Sequence, residues 1–335
     1  MQNAKRGRRF NLWPCVMGVL VAGAVLGDAA AQNYPSRPVR IIVPFGAGSA
    51  TDVTARLIAD KLAETMGGNF VVENRTGAGG NLGTDAVAKS DPDGYTLSYT
   101  ASGPLAINRT LFAKLNYDPE NDFEPISLTA ILPNVLVINP KVIPANNVQE
   151  FVAYLKSKPA GDVVYSSIGN GSSQHLAMIQ FEQAVGVKMK HVPYRGAPQV
   201  VTDLINGQVP ITFQNIPSVL GPLQTGQLKA LAITTKTRNK VLPDLATMQE
   251  QGIKDFDSYA WFGMVAPKGT PQAILDRLNQ EVVKALKDPA LNKKMVEIGT
   301  EPTPMTRAEF KAFISADIAK WRTVITAANI PKVDQ

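Results

Sequence analysis

The decapeptide Val43-Pro44-Phe45-Gly46-Ala47-Gly48-Ser49-Ala50-Thr51-Asp52 decides how this chain folds, because it joins a short apolar strand to a helix through small residues and glycine. The strand before it is Val39-Arg40-Ile41-Ile42-Val43. The helix after it carries Val53, Leu57, Ile58, Leu62 and Met66 at mostly helical spacing until Gly67-Gly68 ends it. The first amides of a helix have no intrahelical carbonyl and sit at the positive end of its dipole, so such a junction points donors at whatever precedes it. Gly46, Gly48, Ser49 and Ala50 leave room for an anion to approach that backbone.

Two anions fit this pattern. Gly46-x-Gly48 follows a strand, opens a helix and is succeeded by a second strand ending in Glu73, which suits a dinucleotide, although Thr51 stands at the third position of that fingerprint where glycine is expected. The other candidate is a small external anion, and the N-terminus favours it. Lys5, Arg6, Arg8 and Arg9 precede the apolar run 12–26, and Ala29-Ala30-Ala31 offers small residues for a signal peptidase, so residues 1–31 read as a cleaved export signal. Its apolar core is short for a spanning helix, and no later apolar run is long enough to cross a bilayer. Arg8-Arg9 also permits twin-arginine export, which leaves the route open. Export places the chain in the periplasm, away from the soluble nicotinamide cofactors of the cytoplasm.

Cys15, the only cysteine, lies in the segment to be removed, so the exported chain has no disulfide and must stabilise itself by core burial; about 300 residues suffice for two domains. Removing four cations and Asp28 with the signal takes the net charge from +6 to +3. That mild excess, with no basic run interleaved with aromatics, gives no support for nucleic-acid binding.

Strands alternate with helices along the rest of the chain, which predicts α/β architecture with largely parallel sheets. Strands are expected over 39–43, 69–73, 96–100, 134–138, 162–166, 188–192, 211–214, 229–234 and 261–266. Helices are expected over 51–66, 82–88, 148–156, 173–185, 197–205, 216–224, 271–286 and 307–327. No convincing sequence repeat is visible, but one local device recurs. Val163-Val164-Tyr165 leads into Ser166-Ser167-Ile168-Gly169-Asn170-Gly171-Ser172-Ser173, and a helix with Leu176, Ile179 and Phe181 follows. A third polar loop, Gly77-Ala78-Gly79-Gly80-Asn81, precedes another helical stretch. Two lobes with a ligand between them would set one loop on each jaw. A micromolar complex needs about 8 kcal/mol net, and each hydrogen bond to a charged group supplies roughly 1.5–3 kcal/mol before association costs, so a few amides per jaw suffice. Near the end, Thr270-Pro271 is expected to start one helix, and Thr306 with Glu309 to form a capping box before another.

Catalysis finds little footing. The only histidines are His175 and His191, without ligand-spaced partners for a metal. His175, in the first turn after the serine-rich loop, can touch a ligand or simply cap and pack, whereas His191 reads as structural. Gly171-Ser172-Ser173-Gln174 is not a nucleophile elbow. Asp52 and Glu73 read either as a catalytic pair or as a helix N-terminal charge and a surface residue at a strand end.

A resemblance spans nearly the whole mature chain. It is carried by Tyr34-Pro35 with Ile41-Ile42-Val43-Pro44-Phe45, Gly48 and Thr51-Asp52; by Val72-Glu73-Asn74-Arg75, Gly77-Ala78-Gly79-Gly80-Asn81 and Asp91-Pro92-Asp93-Gly94-Tyr95-Thr96; and by Gly171-Ser172-Ser173-Gln174-His175-Leu176, His191-Val192-Pro193-Tyr194-Arg195-Gly196 and Leu228-Lys229-Ala230-Leu231-Ala232. With these motifs in this order, the chain resembles a Bug-type substrate-binding protein of the tripartite tricarboxylate transporter family. The resemblance implies a two-lobed periplasmic-binding-protein fold of the type II, Venus-flytrap kind, with no enzymatic activity and no cofactor or metal. It implies a monomer that holds a small organic carboxylate in the interlobe cleft and presents it to integral-membrane permease subunits. A carboxylate sensor for a signalling partner and an exported nucleotide-dependent oxidoreductase are the alternatives.

Carried onto this sequence, the first-lobe contacts are Phe45, Gly46, Ala47, Gly48, Ser49, Ala50 and Thr51, with Asp52 beside them, then Gly79, Gly80 and Asn81, and Ser102. Those of the second lobe are Ser166, Ser167, Gly169, Asn170, Gly171, Ser172 and Ser173, with His175, then Tyr194, Arg195, Gln214 and Asn215. Lobe 1 is expected to combine 33–132 with 255–335, and lobe 2 to span 133–254. Ala47 stands where the family usually has proline, Ser49 where it has glycine, Ile179 where it has glutamate and Gln214 where it has aspartate. If position 214 lines the cleft, losing a negative charge there favours a ligand that is only carboxylate over one with an ammonium group. Aliphatic di- and tricarboxylates, hydroxy acids and aromatic acids such as terephthalate or nicotinate all remain open.

Overall fold

In the computed structural model, residues 34–327 and 329–334 are described. The export segment read over 1–31, with Cys15, lies outside the described residues. In chain order the elements are β1 (Val39–Val43), α1 (Ala50–Met66), β2 (Phe70–Asn74), α2 (Asn81–Ala88), β3 (Thr96–Ala101), α3 (Asn108–Leu111), β4 (Phe123–Ile138), α4 (Val148–Lys156), β5 (Val164–Ser167), α5 (Ser173–Val185) and β6 (Lys190–Pro193). There follow α6 (Ala197–Ile205), β7 (Ile211–Asn215), α7 (Ile216–Gln224), β8 (Lys229–Ile233), β9 (Tyr259–Pro267), α8 (Gln272–Lys287), α9 (Pro289–Glu297), β10 (Glu301–Pro302) and α10 (Arg307–Ala327).

The strands form one curled sheet in the order β2-β1-β3-β9-β4-β7-β5-β6, with β8 and β10 paired to β4 off that path. The expected largely parallel sheet is corrected here. The βαβ units are parallel, β1 with β2 and β3, and β5 with β6 and β7, but β9 is antiparallel to β3 and β4, and β4 is antiparallel to β7, β8 and β10. The two long strands that knit the halves together therefore run against their neighbours.

Strand β4 is the spine of the molecule. Residues 123–133 pair with β9, and residues 134–138 pair with β7 on one edge and β8 on the other. The sequence suggested only its last five residues, because Pro125 and Pro133 interrupt the run. The register shifts that follow Pro125 and Leu128 take up the irregularity as bulges.

Helices cover both faces of each half-sheet. In the first half, Ile41, Ile58, Leu62 and Leu278 join one apolar core, and Trp261, Phe310, Ile314 and Trp321 another. In the second half the cores form around Leu136, Phe151, Phe181 and Phe213, and around Val135, Val137, Leu204 and Val219. Both first-half cores reach across: Ile168, Ala197 and Val200 join one, and Leu176 joins the other. The halves are thus packed together on both flanks of the loops between them.

Capping signals worked unevenly. Gly67 ends α1 in the left-handed conformation, and Thr306 and Glu309 exchange hydrogen bonds of 2.8 and 3.2 Å as a capping box. Thr270 instead donates its hydroxyl back to the Pro267 carbonyl. Helix α9, absent from the sequence reading, is capped by Asp288, which accepts from the Ala290 and Leu291 amides at 3.0 Å. Among the described residues no helix is long and apolar enough to cross a membrane.

Candidate functional site

The site is built from the loops at the carboxyl ends of β1 and β5. Before α1, Ser49 is the N-cap, with φ −69° and ψ 159°, and its Oγ accepts from the Asp52 amide at 3.3 Å. Gly48 adopts φ 76°, which glycine reaches without a steric penalty, and Ser49 donates its amide to the Gly46 carbonyl at 3.1 Å. Asp52 turns back and accepts from the Gly48 amide at 2.9 Å. Arg56 (2.9 Å) and Asn74 (2.9 Å) also donate to Asp52, and Asn74 donates as well to the Phe45 carbonyl. Burial opposes ionisation of Asp52, but the bonds from Arg56, the Gly48 amide and Asn74 outweigh it and hold the carboxyl below its usual value. The Gly48 amide and the Asp52 charge are therefore consumed by the loop, while the Ala50 and Thr51 amides at the start of α1 have no backbone partner among the described residues.

The loop before α5 repeats this geometry. Ser172 is the N-cap, with φ −69° and ψ 154°, Gly171 has φ 77°, and Ser172 donates to the Gly169 carbonyl at 3.2 Å. Ser172 Oγ accepts from the His175 amide at 3.3 Å, and His175 Nδ1 accepts from the Gly171 amide at 3.3 Å. His175 thus occupies the place of Asp52. Its ring stacks on His191 with centroids 4.2 Å apart, and His191 stacks on Tyr165 at 4.9 Å. Burial first, then the neighbouring His191 and Lys188, push the His175 pKa down to about 3. Burial pushes His191 down to about 4. His191 Nε2 and Ser167 Oγ are 2.7 Å apart, and Ser167 Oγ also accepts from the Gly169 amide, so this pair shapes the loop. Ser166 Oγ is turned into the sheet toward the Ile211 carbonyl.

Each of the two loops meets a different segment of the other lobe across a seam of glycines. A Cβ built on Gly196 would lie 3.3 Å from Gly46 Cα, and one on Gly103 would lie 2.8 Å from the Gly171 carbonyl oxygen. A methyl at Gly79 would run into the Asn170 carbonyl. Gly80 holds the buried Phe45 ring close, and Ser102, next to Gly103, is fully buried with its Oγ unpartnered among the described residues. Asn81 Oδ1 accepts from Asn108 Nδ2 (2.6 Å) and from the Tyr117 hydroxyl (3.0 Å). Asn215 binds Asn134 Oδ1 (3.0 Å) and accepts from Gln174 (3.0 Å), which ties α5 to the point where β4 changes partners. Gln214 beside it is fully buried.

Two expected contacts lie differently. Tyr194 spends its hydroxyl on Asp203 at 2.6 Å, within its own half, and Arg195 is exposed, with only its backbone facing Gly46. Glu73 pairs with Arg40 at 2.7 and 2.8 Å, far from any catalytic partnership with Asp52. Sequence reasoning did not find Asn108, Asn134 or Gly103, and it quoted Asn74, Gln174 and Gly196 in motifs without assigning them to the site. It also passed over the Gly-x-Gly-Ser pattern common to 46–49 and 169–172, the local signal of the repeated loop.

No lysine or arginine is among the buried side chains of the described residues, and the amino ends of α1, α5 and α6 add backbone donors and the positive ends of their dipoles near the seam. Two half-sheets sharing a spine strand, with helix amino ends facing each other between them, define a two-lobed binding protein of the periplasmic type. The chain belongs to the tripartite tricarboxylate transporter receptor family, whose model matches residues 54–330. It is 37% identical over 312 residues to BugT of Bordetella pertussis, covering 92% of this chain and 95% of that protein. The structure of Rpa4515 of Rhodopseudomonas palustris with adipate is similar at a TM-score of 0.87 and 35% identity, covering 90% of this chain and all of that one. MatC of the same organism with bound malate follows at 0.83 and 32%, with coverage of 87% and 100%. The chain is accordingly an extracytoplasmic solute-binding receptor without enzymatic activity. That excludes the oxidoreductase reading of the Gly46–Thr51 junction.

Proposed function

We propose that this receptor, freed of its export signal near Ala31, closes as a monomer on a small organic carboxylate and delivers it to the membrane permease of a tripartite tricarboxylate transporter. The lobes in this reading are 33–132 with 255–335, and 133–254, and the ligand lies between the Phe45 to Thr51 and Ser166 to Ser173 loops. One observation carries the proposal: two matching N-cap loops, each lying against the opposite lobe at the glycine seam, have amides at Ala50, Thr51, Ser173 and Gln174 with no backbone partner among the described residues, and no lysine or arginine is buried among those residues. Backbone donors at helix amino ends read carboxylate oxygens and leave the rest of the ligand to pocket shape. The adipate and malate bound by the two Rhodopseudomonas proteins are dicarboxylates of the expected size class.

Thermal-shift measurements against a panel of di-, tri- and monocarboxylates, with NAD and NADP included, test the reading. A rise in melting temperature with one or more carboxylates is expected. A rise with a nucleotide alone overturns it.

A further inference from the structure

Gln214 is 0% exposed, and neither its Oε1 nor its Nε2 meets a hydrogen-bond partner among the described residues. A buried primary amide left with both functions unpaired is costly, and native interiors rarely carry one without a use for it. Its position indicates the use. Gln214 is the penultimate residue of β7, opposite Val135 of β4. Its neighbours on the strand point to the other face: Phe213 joins the core with Phe181 and Phe256, and Asn215 binds Asn134 and Gln174. Gln214 therefore stands with Val135 on the face covered by α6 and α7, where Val135 packs with Leu204 and Val219. The first turn of α6, through Ala197 and Val200, packs in the same core as Phe45 and Ala50 of the opposite lobe. The unpaired amide thus lies at the carboxyl end of β7, on the face covered by the helix whose first turn packs with the 45–50 loop.

We propose, building on the carboxylate reading above, that Gln214 recognises a hydroxyl on the carbon adjoining the bound carboxylate, and that the ligand is an α-hydroxycarboxylate. The hydroxyl donates to Oε1 while a carboxylate oxygen accepts from Nε2, which satisfies both functions at once. A plain carboxylate has no donor for Oε1. An ammonium would have a donor, but Asp52, the buried carboxylate of the 45–52 loop, is already consumed by Arg56, Asn74 and the Gly48 amide, and the other two buried carboxylates of the described residues, Glu182 and Asp317, are bonded to Met189 and Trp261. This narrows the choice between the two ligand types seen in the relatives, since malate carries such a hydroxyl and adipate does not.

Calorimetric titration with matched pairs tests it: L-malate against succinate, lactate against propionate, citrate against tricarballylate. In the pair that fits the cleft, the hydroxy acid is expected to bind at least about tenfold tighter. In Gln214→Leu, with folding checked by circular dichroism and melting, the preference should collapse to about twofold, with the loss falling on the hydroxy acid. Gln214→Asn keeps the amide one methylene short and should reduce the preference as well, which covers a failure of the leucine variant to fold. Equal or tighter binding of the deoxy acid, or a preference that survives the substitutions, overturns the proposal and leaves the carboxylate reading intact. Binding of no member of any pair, with another acid of the thermal-shift panel bound, likewise overturns the proposal alone; only a panel without any carboxylate bound overturns the carboxylate reading itself.

Discussion

The loop before α1 and the loop before α5 share one backbone and differ in what locks it. Both run Gly-x-Gly-Ser, with the second glycine near φ 76°, the serine as N-cap, and the third helical residue accepting from the amide just ahead of the cap. In the first the acceptor is a carboxylate held by Arg56, whose side chain is half exposed. In the second it is a buried, neutral imidazole stacked in a column with the partly buried His191 and the buried Tyr165. The backbone shape therefore depends on spacing and on an acceptor at one position, while the chemistry of that acceptor is free. One jaw is fixed by charge at the rim and the other by rings in the interior.

The largest effect is expected where the jaws touch. Gly79→Ala places a methyl against the Asn170 carbonyl and should weaken carboxylate binding about 100-fold. The φ of 62° adds roughly 1 kcal/mol of lost stability. Gly161→Ala, at φ 85° with open space around it, incurs the same backbone cost and should leave affinity unchanged. Equal binding losses in the two variants would show that the seam does not control closure.

A smaller effect separates the two locks by pH. His175 is buried and His191 partly buried, and both are held neutral, with pKa values near 3 and 4 against an ordinary 6.5. The unfolded chain therefore takes up protons that the folded chain refuses. Stability should be full above pH 6.5 and decline as the pH falls toward 4. Asp52, held below its usual 3.8, adds its own loss only in more acidic solution, below that value. Melting curves between pH 7 and 4.5 should flatten in His175→Asn and keep their slope in Asp52→Asn. The reverse ranking would place the acid-sensitive lock on the wrong jaw.

The smallest effect tests the likeness itself. Ser49→Ala and Ser172→Ala each remove one cap and should each cost about 1 kcal/mol in denaturant unfolding. Costs that differ severalfold would mean that the matching dihedrals hide unequal roles.

Much of this was written locally. The helices 148–156, 173–185, 197–205, 216–224 and 307–327 are found at the expected boundaries, because apolar spacing and caps act within a few residues. What escaped depends on distant partners. Asn74 reaches back 22 residues to Asp52 and Asn108 reaches 27 to Asn81, and neither pairing leaves a periodic trace. The first part of β4 was obscured by its prolines, whose compensation lies in the register with β9, a strand more than a hundred residues away. The departures at Ala47 and Ser49 acquired meaning unequally. Ser49 is the cap that makes the first loop match the second, and nothing in the structure explains Ala47.

The place of β9 in the sheet has a consequence for the order of folding. It lies between β3 and β4, yet its residues, Tyr259–Pro267, are synthesised after the whole of the β5 to β8 half. That later half can pair its strands with the end of β4 as they emerge. The half that begins the chain must wait with a gap at its centre until β9 arrives, and only then can α8 and α10 cover it. The half made first is finished last.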